Sequence, residues 1–207
     1  MHIIGGKIFK HHNYIPLFFL AVMFLYRAPN IWSLITGLIV VIAGAVIRLW
    51  GAGYSGMILS LNDTQVIASE SSTINAPELI TSGPFAYLRY PLFLGSILLY
   101  SGICMMSFSL FPFLQLFVPV YFFLHYRSII ISHEKDLLEN SNLNEVYSDY
   151  INTVPALLPK LKKYRNSAKR HDEIFSMSSA ISLESGNIKA YGFLSITIIL
   201  IWFIGRF

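Results

Sequence analysis

The sequence predicts an all-α, polytopic integral membrane protein with about five transmembrane helices and a ligand pocket on its cytoplasmic side. Three observations predict it. The chain is 207 residues, 55% hydrophobic and only 13% charged, with a mean hydropathy of +0.58, which is too apolar for an ordinary soluble domain. Its apolar residues fall into long runs separated by polar segments. Its lysines and arginines gather outside those runs, as the positive-inside rule expects.

The first span is expected at about Tyr14–Tyr26, behind Lys7 and Lys10. It is short for a span, and flanking residues would extend it. Arg27-Ala28-Pro29-Asn30 is a poor cleavage site, so the run is expected to be a retained span or signal anchor. The second span is about Ile31–Trp50, where Gly37, Ala43, Gly44 and Ala45 allow another helix to approach closely. Pro91 to Ser132 is almost continuously apolar. As one helix it would be roughly 60 Å long, about twice the hydrocarbon thickness, so it must fold back. Ser107 to Pro112 is the natural turn, which gives a third and a fourth span. The fifth is about Ala190–Phe207.

Two segments, 55–90 and 133–189, are polar and do not span. The second carries Lys160, Lys162, Lys163, Arg165, Lys169 and Arg170, and Ser176 to Asn187 is expected to be a flexible connector. Both segments and the N-terminus are placed in the cytoplasm, and residues 1–207 form one membrane-embedded domain. The net charge of +4 is modest, and its distribution marks orientation rather than a nucleic-acid surface. The single cysteine, Cys104, excludes an intrachain disulfide and fits a small apolar filler. His125 and His133 lack acidic companions at ligand spacing, so no metal site is expected.

The segment Thr81-Ser-Gly-Pro-Phe-Ala-Tyr-Leu-Arg-Tyr-Pro-Leu-Phe-Leu-Gly95 stands apart. Gly83-Pro84 breaks the backbone, Arg89 supplies a fixed charge, and Pro91 can open a helix. A chain that only needed another span would not need this turn, and it has the character of a pocket lip where a helix enters the bilayer. Arg127 and Glu134 lie two turns apart on one helix face, about 10 Å from each other. They are either an interfacial pair of charges or a site for a ligand bearing both signs. Arg48, beside Trp50, either snorkels to the interface or forms a basic wall. Tyr147 to Tyr150, followed by Val154-Pro155 and Pro159, reads on its own as an amphipathic helix on the membrane surface.

Taken in order, the Leu79–Gly95 motif, an apolar hairpin, Glu134 with Leu138, Tyr147 with Tyr150, and Val154-Pro155 with Pro159 resemble the isoprenylcysteine carboxyl methyltransferase and phospholipid methyltransferase superfamily. The resemblance covers about Arg48 to Pro159. It implies a membrane methyltransferase that uses S-adenosylmethionine and acts on a lipid or lipid-like hydrophobic acceptor: a prenylcysteine carboxylate, an aminolipid or a small thiol. By position it implies cofactor contacts at Pro77, Glu78, Leu79, Ile80, Phe85, Arg89, Tyr90, Pro91, Leu92, Phe93 and Glu134. Glu134 and Arg127 are the catalytic candidates. The chain departs from the family pattern at Tyr90 (usually histidine), Phe85 and Phe93 (tyrosines), and Lys135 (a second glutamate). Ile130 stands where the isoprenylcysteine enzymes carry a substrate arginine. A catalytically inactive member acting as a membrane scaffold or assembly protein is the alternative. A small transporter fits less well, because no repeat is present and no ionisable residue is expected deep within a span.

The chemistry makes sense of those residue types. The donor joins a sulfonium cation to an adenine and an amino-acid tail. Phe85, Tyr87, Tyr90 and Phe93 would suit the adenine. Arg89 and the turn amides would suit the carboxylate, and Glu134 the ammonium.

Overall fold

The structure, a computed structural model, describes residues 29–55, 80–140, 145–165 and 175–205. The expected first span, most of the segment 55–90, and with it Pro77, Glu78 and Leu79 lie outside the described residues. What is described is all helical: α1 (Ile31–Ser55), a 3-10 turn (Gly83–Ala86), α2 (Pro91–Ser107), α3 (Phe113–Asn140), α4 (Glu145–Thr153) and α5 (Met177–Ile204). Among the described residues, Ile31–Tyr54, Phe113–Ser132 and Met177–Ile204 are long and apolar enough to cross a membrane, and Pro91–Ser107 is a shorter apolar helix. The protein is a membrane protein.

α1 and α2 form the tightest pair, and glycine makes it possible. Gly37 faces Gly102 and Gly44 faces Gly95, one contact every seven residues along two antiparallel helices. A Cβ on Gly37 would lie 2.6 Å from the Gly102 carbonyl oxygen, and one on Gly44 would lie 2.8 Å from that of Gly95. Backbones this close gain dispersion contact that bulkier residues would forbid.

The hairpin turns where the sequence predicts. Pro91 is the first residue of α2, and Phe108 ends that helix in the left-handed region at φ 50°, its amide donating to the Met105 carbonyl. Leu110 is also left-handed, at φ 47°. α3 then runs back, and the core forms between it and α2: Leu99, Ile103, Met106, Val118 and Phe122 are all fully buried, as is Cys104.

α5 corrects two expectations. The span starts at Met177 rather than Ala190, and Ser176 to Asn187 is ordered helix rather than connector. Several of the polar residues that suggest a connector have partners. The Ser176 hydroxyl caps the helix by accepting from the Ser179 amide, and the Ser185 hydroxyl donates to the Ser182 carbonyl. Glu184 is buried at 5% exposure, against Arg48 at 4%. Arg48 therefore neither snorkels nor lines a ligand wall. Its Nε meets Glu184 Oε2 at 2.8 Å and its Nη2 meets Oε1 at 3.0 Å, while its Nη1 bonds the Ser96 hydroxyl. Asn187 adds a bond to Glu184 at 3.2 Å. Two buried charges of opposite sign thus join α1 to α5 across α2, where the sequence led us to expect none.

Candidate functional site

The Gly-Pro turn is built first. Gly83 sits at φ +57°, a left-handed conformation, and a Cβ there would strike the Tyr54 ring. Glycine is required on both counts. Pro84 then starts a 3-10 turn, with the Tyr87 amide donating to its carbonyl.

The second motif closes over this turn through main-chain atoms. The Arg89 amide donates to the Pro155 carbonyl at 3.0 Å and the Tyr90 amide to the Ala156 carbonyl at 3.1 Å. In return, the Lys160 amide donates to the Tyr87 carbonyl and the Tyr164 amide to the Ala86 carbonyl, each at 2.9 Å. The Tyr150 hydroxyl donates to the Phe85 carbonyl at 2.7 Å. Residues 150–164 therefore clasp residues 85–90. The surface-helix expectation is corrected here: Tyr150, Val154 and Tyr164 form a small buried cluster of their own. Burial pushes the Tyr164 phenol up to about 12, helped by its hydrogen bond to Asp149 and that carboxylate's charge.

The clasp and α3 enclose a cavity of about 280 Å³. Arg89 enters from the turn, and Arg127 and Glu134 from α3. The apolar walls are Phe123, Ile130 and Ile131 of α3 and Pro155, Ala156, Leu157 and Leu158 of the clasp. Inside it, Arg89 Nη1 lies 2.7 Å from Glu134 Oε1, with the two side chains only 12% and 16% exposed. The contact is one of charge rather than a well-aligned hydrogen bond. Among the described residues, Arg89 Nε and Nη1 and Glu134 Oε1 have no hydrogen-bond partner. Arg89 and Glu134 thus meet as an ion pair on the cavity lining, with Arg89 Nε left without a partner among the described residues.

The structure brings Arg89, Arg127 and Glu134 onto one lining and sets the other candidates around it. Ile80 lies next to buried Thr81 at the edge of the described turn. The Phe85 carbonyl is taken by Tyr150. Pro91 packs against Gly51. The Leu92 carbonyl accepts from Arg48 and from Ser96. Phe93 is stacked between Tyr90 (ring centroids 5.6 Å) and Tyr126 (4.7 Å). Those rings continue through Phe122 to Tyr100 and Tyr191, tying α2, α3 and α5 together. Phe93 is 8% exposed and fully occupied with its neighbours.

Sequence reasoning missed two things. The clasp residues Pro155 to Leu158 form a wall of the cavity, and a pair of prolines carries no sign of what its carbonyls will bind. Glu184 anchors Arg48 from far along the chain, and no local pattern links the two.

No curated protein and no solved structure matches the chain. A family model described as phospholipid methyltransferase matches residues 32–148, which run from the start of α1 to the first turn of α4. That match covers more than half of the chain and every helix that frames the cavity's charges, and on it the protein belongs to the phospholipid methyltransferase family.

Proposed function

We propose that the protein is an S-adenosylmethionine-dependent methyltransferase acting on a membrane-embedded or hydrophobic acceptor. The observation that carries the reading is the Arg89–Glu134 pair, 2.7 Å apart in an apolar-walled cavity with hydrogen-bonding capacity to spare. Its two charges match the two ends of an amino-acid tail. A zwitterion entering between them would replace that one ion pair by two charge-assisted contacts, the carboxylate on Arg89 and the ammonium on Glu134. The volume, near the lower end of about 300–1,000 Å³ for ligand pockets, suits the tail and the sulfonium centre. The remaining cofactor contacts, at Pro77 to Ile80, Phe85 and Tyr90 to Phe93, rest on the resemblance of this segment to the family's motif.

The bound cofactor would supply an electrophilic methyl group. The protein's own task is then alignment and exclusion of water. Orientation alone contributes roughly 7–11 kcal/mol to such reactions. The clasp holds Arg89 through its own amide, so the guanidinium is positioned from the main chain. Phe123, Ile130 and Ile131 keep the chamber apolar. Arg127, on the same lining, can steady an anionic acceptor, and where Glu134 holds the ammonium, its sequence neighbour His133 is the candidate to take the proton of an amine acceptor. Acceptors reach the chamber sideways from the lipid.

We place the cavity, both polar segments and the N-terminus on the cytoplasmic side, within a five-span arrangement, because Lys160, Lys162, Lys163 and Arg165 follow directly on the cavity wall.

Titration calorimetry of the full chain in detergent tests the reading. S-Adenosylmethionine should bind saturably, and Glu134→Gln should weaken binding about tenfold or more, as expected for a hydrogen bond to a charged group. A folded protein that takes up no cofactor at millimolar concentration favours the inactive-scaffold reading instead.

A further inference from the structure

The tip of the clasp carries an exposed surface that meets the cavity only at Leu158. Main-chain bonds pin it at both ends: the Lys160 amide on the Tyr87 carbonyl and the Tyr164 amide on the Ala86 carbonyl, both at 2.9 Å. Between these pins, Leu161-Lys162-Lys163 stands out from the protein. Leu161 is 101% exposed, and Leu158, three residues earlier, is 66% exposed. Lys160, Lys162, Lys163 and Arg165 are exposed around them. Among the described residues none of these four cations is held in an ion pair. Asp149 is engaged by the Tyr164 and Thr153 hydroxyls.

Two exposed leucines, one on the pinned loop and one just before it, ringed by unneutralised cations, are a poor surface for water. They are a good surface for a bilayer interface, where apolar side chains reach the acyl boundary while lysines meet phosphates. The location agrees. Arg127 and Glu134 stand at the end of the span Phe113–Ser132, so the cavity they line opens at headgroup level, and Leu158 forms part of its wall.

We propose that the Leu158–Arg165 tip is a docking surface for the anionic phospholipid headgroups of the leaflet in which the protein sits. Because the tip is bonded to Ala86 and Tyr87, docking fixes the Gly-Pro turn, and Arg89 with it, relative to the membrane surface. Each cation near an anionic leaflet strengthens attachment by about fivefold, and salt weakens it over a Debye length of about 10 Å. The inference rests on the membrane placement of the fold and not on methyl transfer.

The test needs no turnover. Cys104 is wholly buried, so a Leu161→Cys variant takes an environment-sensitive fluorophore at the tip alone. The labelled full chain is reconstituted in nanodiscs of phosphatidylcholine, or of phosphatidylcholine mixed with phosphatidylglycerol. The expected result is a blue shift of the label in the anionic discs, reversed by added salt. Lys162→Gln with Lys163→Gln should reduce the response by about fivefold per cation. These side chains are exposed, so the fold should be unaffected, which circular dichroism verifies. Equal emission in both lipids overturns the proposal, as does a response that survives both glutamine substitutions. A shift produced in phosphatidylcholine discs by inorganic phosphate alone would show an ion site and also overturn it. Cofactor binding by the same preparations reports separately on the methyltransferase reading.

Discussion

Arg48 and Glu184 form a bidentate ion pair, with contacts of 2.8 and 3.0 Å, buried between the first and last described helices. Glu184 lies beyond the segment that matches the family, so an element outside the match neutralises a charge inside it. Removing one partner should strand the other. Glu184→Leu alone is expected to destabilise the protein by about 3–5 kcal/mol, whereas Arg48→Met with Glu184→Leu should recover most of that loss. Thermal unfolding in detergent measures both. Equal damage from the single and double variants would mean that packing, not charge, holds α5 in place.

The glycine seam gives a second expectation. Gly44→Leu puts a side chain where Leu98, Leu99 and the Gly95 carbonyl already stand. It should cost about 1–3 kcal/mol, the usual range for overpacking. Gly186→Ala meets nothing within 4 Å and should stabilise α5 by about 0.5–1 kcal/mol. The contrast, read as two melting temperatures, separates helix propensity from helix contact.

Tyr150→Phe removes the hydrogen bond that the Tyr150 hydroxyl donates to the Phe85 carbonyl. The expected loss is about 1 kcal/mol of stability. The variant should remain folded while the clasp opens more often, seen as faster hydrogen exchange at residues 85–90 than in the parent protein. Unchanged exchange there would leave the clasp held by its main-chain bonds alone.

Alkaline pH should loosen the same element. The Tyr164 phenol is raised to about 12 in the folded protein, against about 10 for a free tyrosine. The fold therefore binds a proton that the unfolded chain has released. Its contribution is complete below pH 10 and is lost as pH rises from about 10 to about 12. Tyr164→Phe should flatten the fall of melting temperature across that window, relative to the unmodified chain.

The sequence made the helices legible because hydrophobic runs and breakers act locally. Pro91 opens α2, and the break at Ser107 to Pro112 is where the chain turns. It also made Arg89, Arg127 and Glu134 legible as charges that a bilayer protein would not strew at random. That they share one cavity is a matter of tertiary closure, since Arg89 meets Glu134 from a turn that residues 155–164 hold by main-chain bonds. α5 was misjudged for a related reason. A serine-rich stretch with a glutamate looks unstructured until Arg48, in another helix, supplies the opposite charge. Local polarity is a poor guide wherever the satisfying partner comes from far along the chain.

The clasp is fastened by amides and carbonyls, atoms that nearly every residue possesses. Those main-chain bonds do not depend on side-chain identity along residues 85–90 and 155–164, whereas Gly83, just before them, is fixed by its backbone angle. A tyrosine in place of histidine at position 90, or phenylalanine in place of tyrosine at 85, leaves those main-chain bonds as they were. Such an architecture lets a lineage change its chemistry while inheriting its chassis.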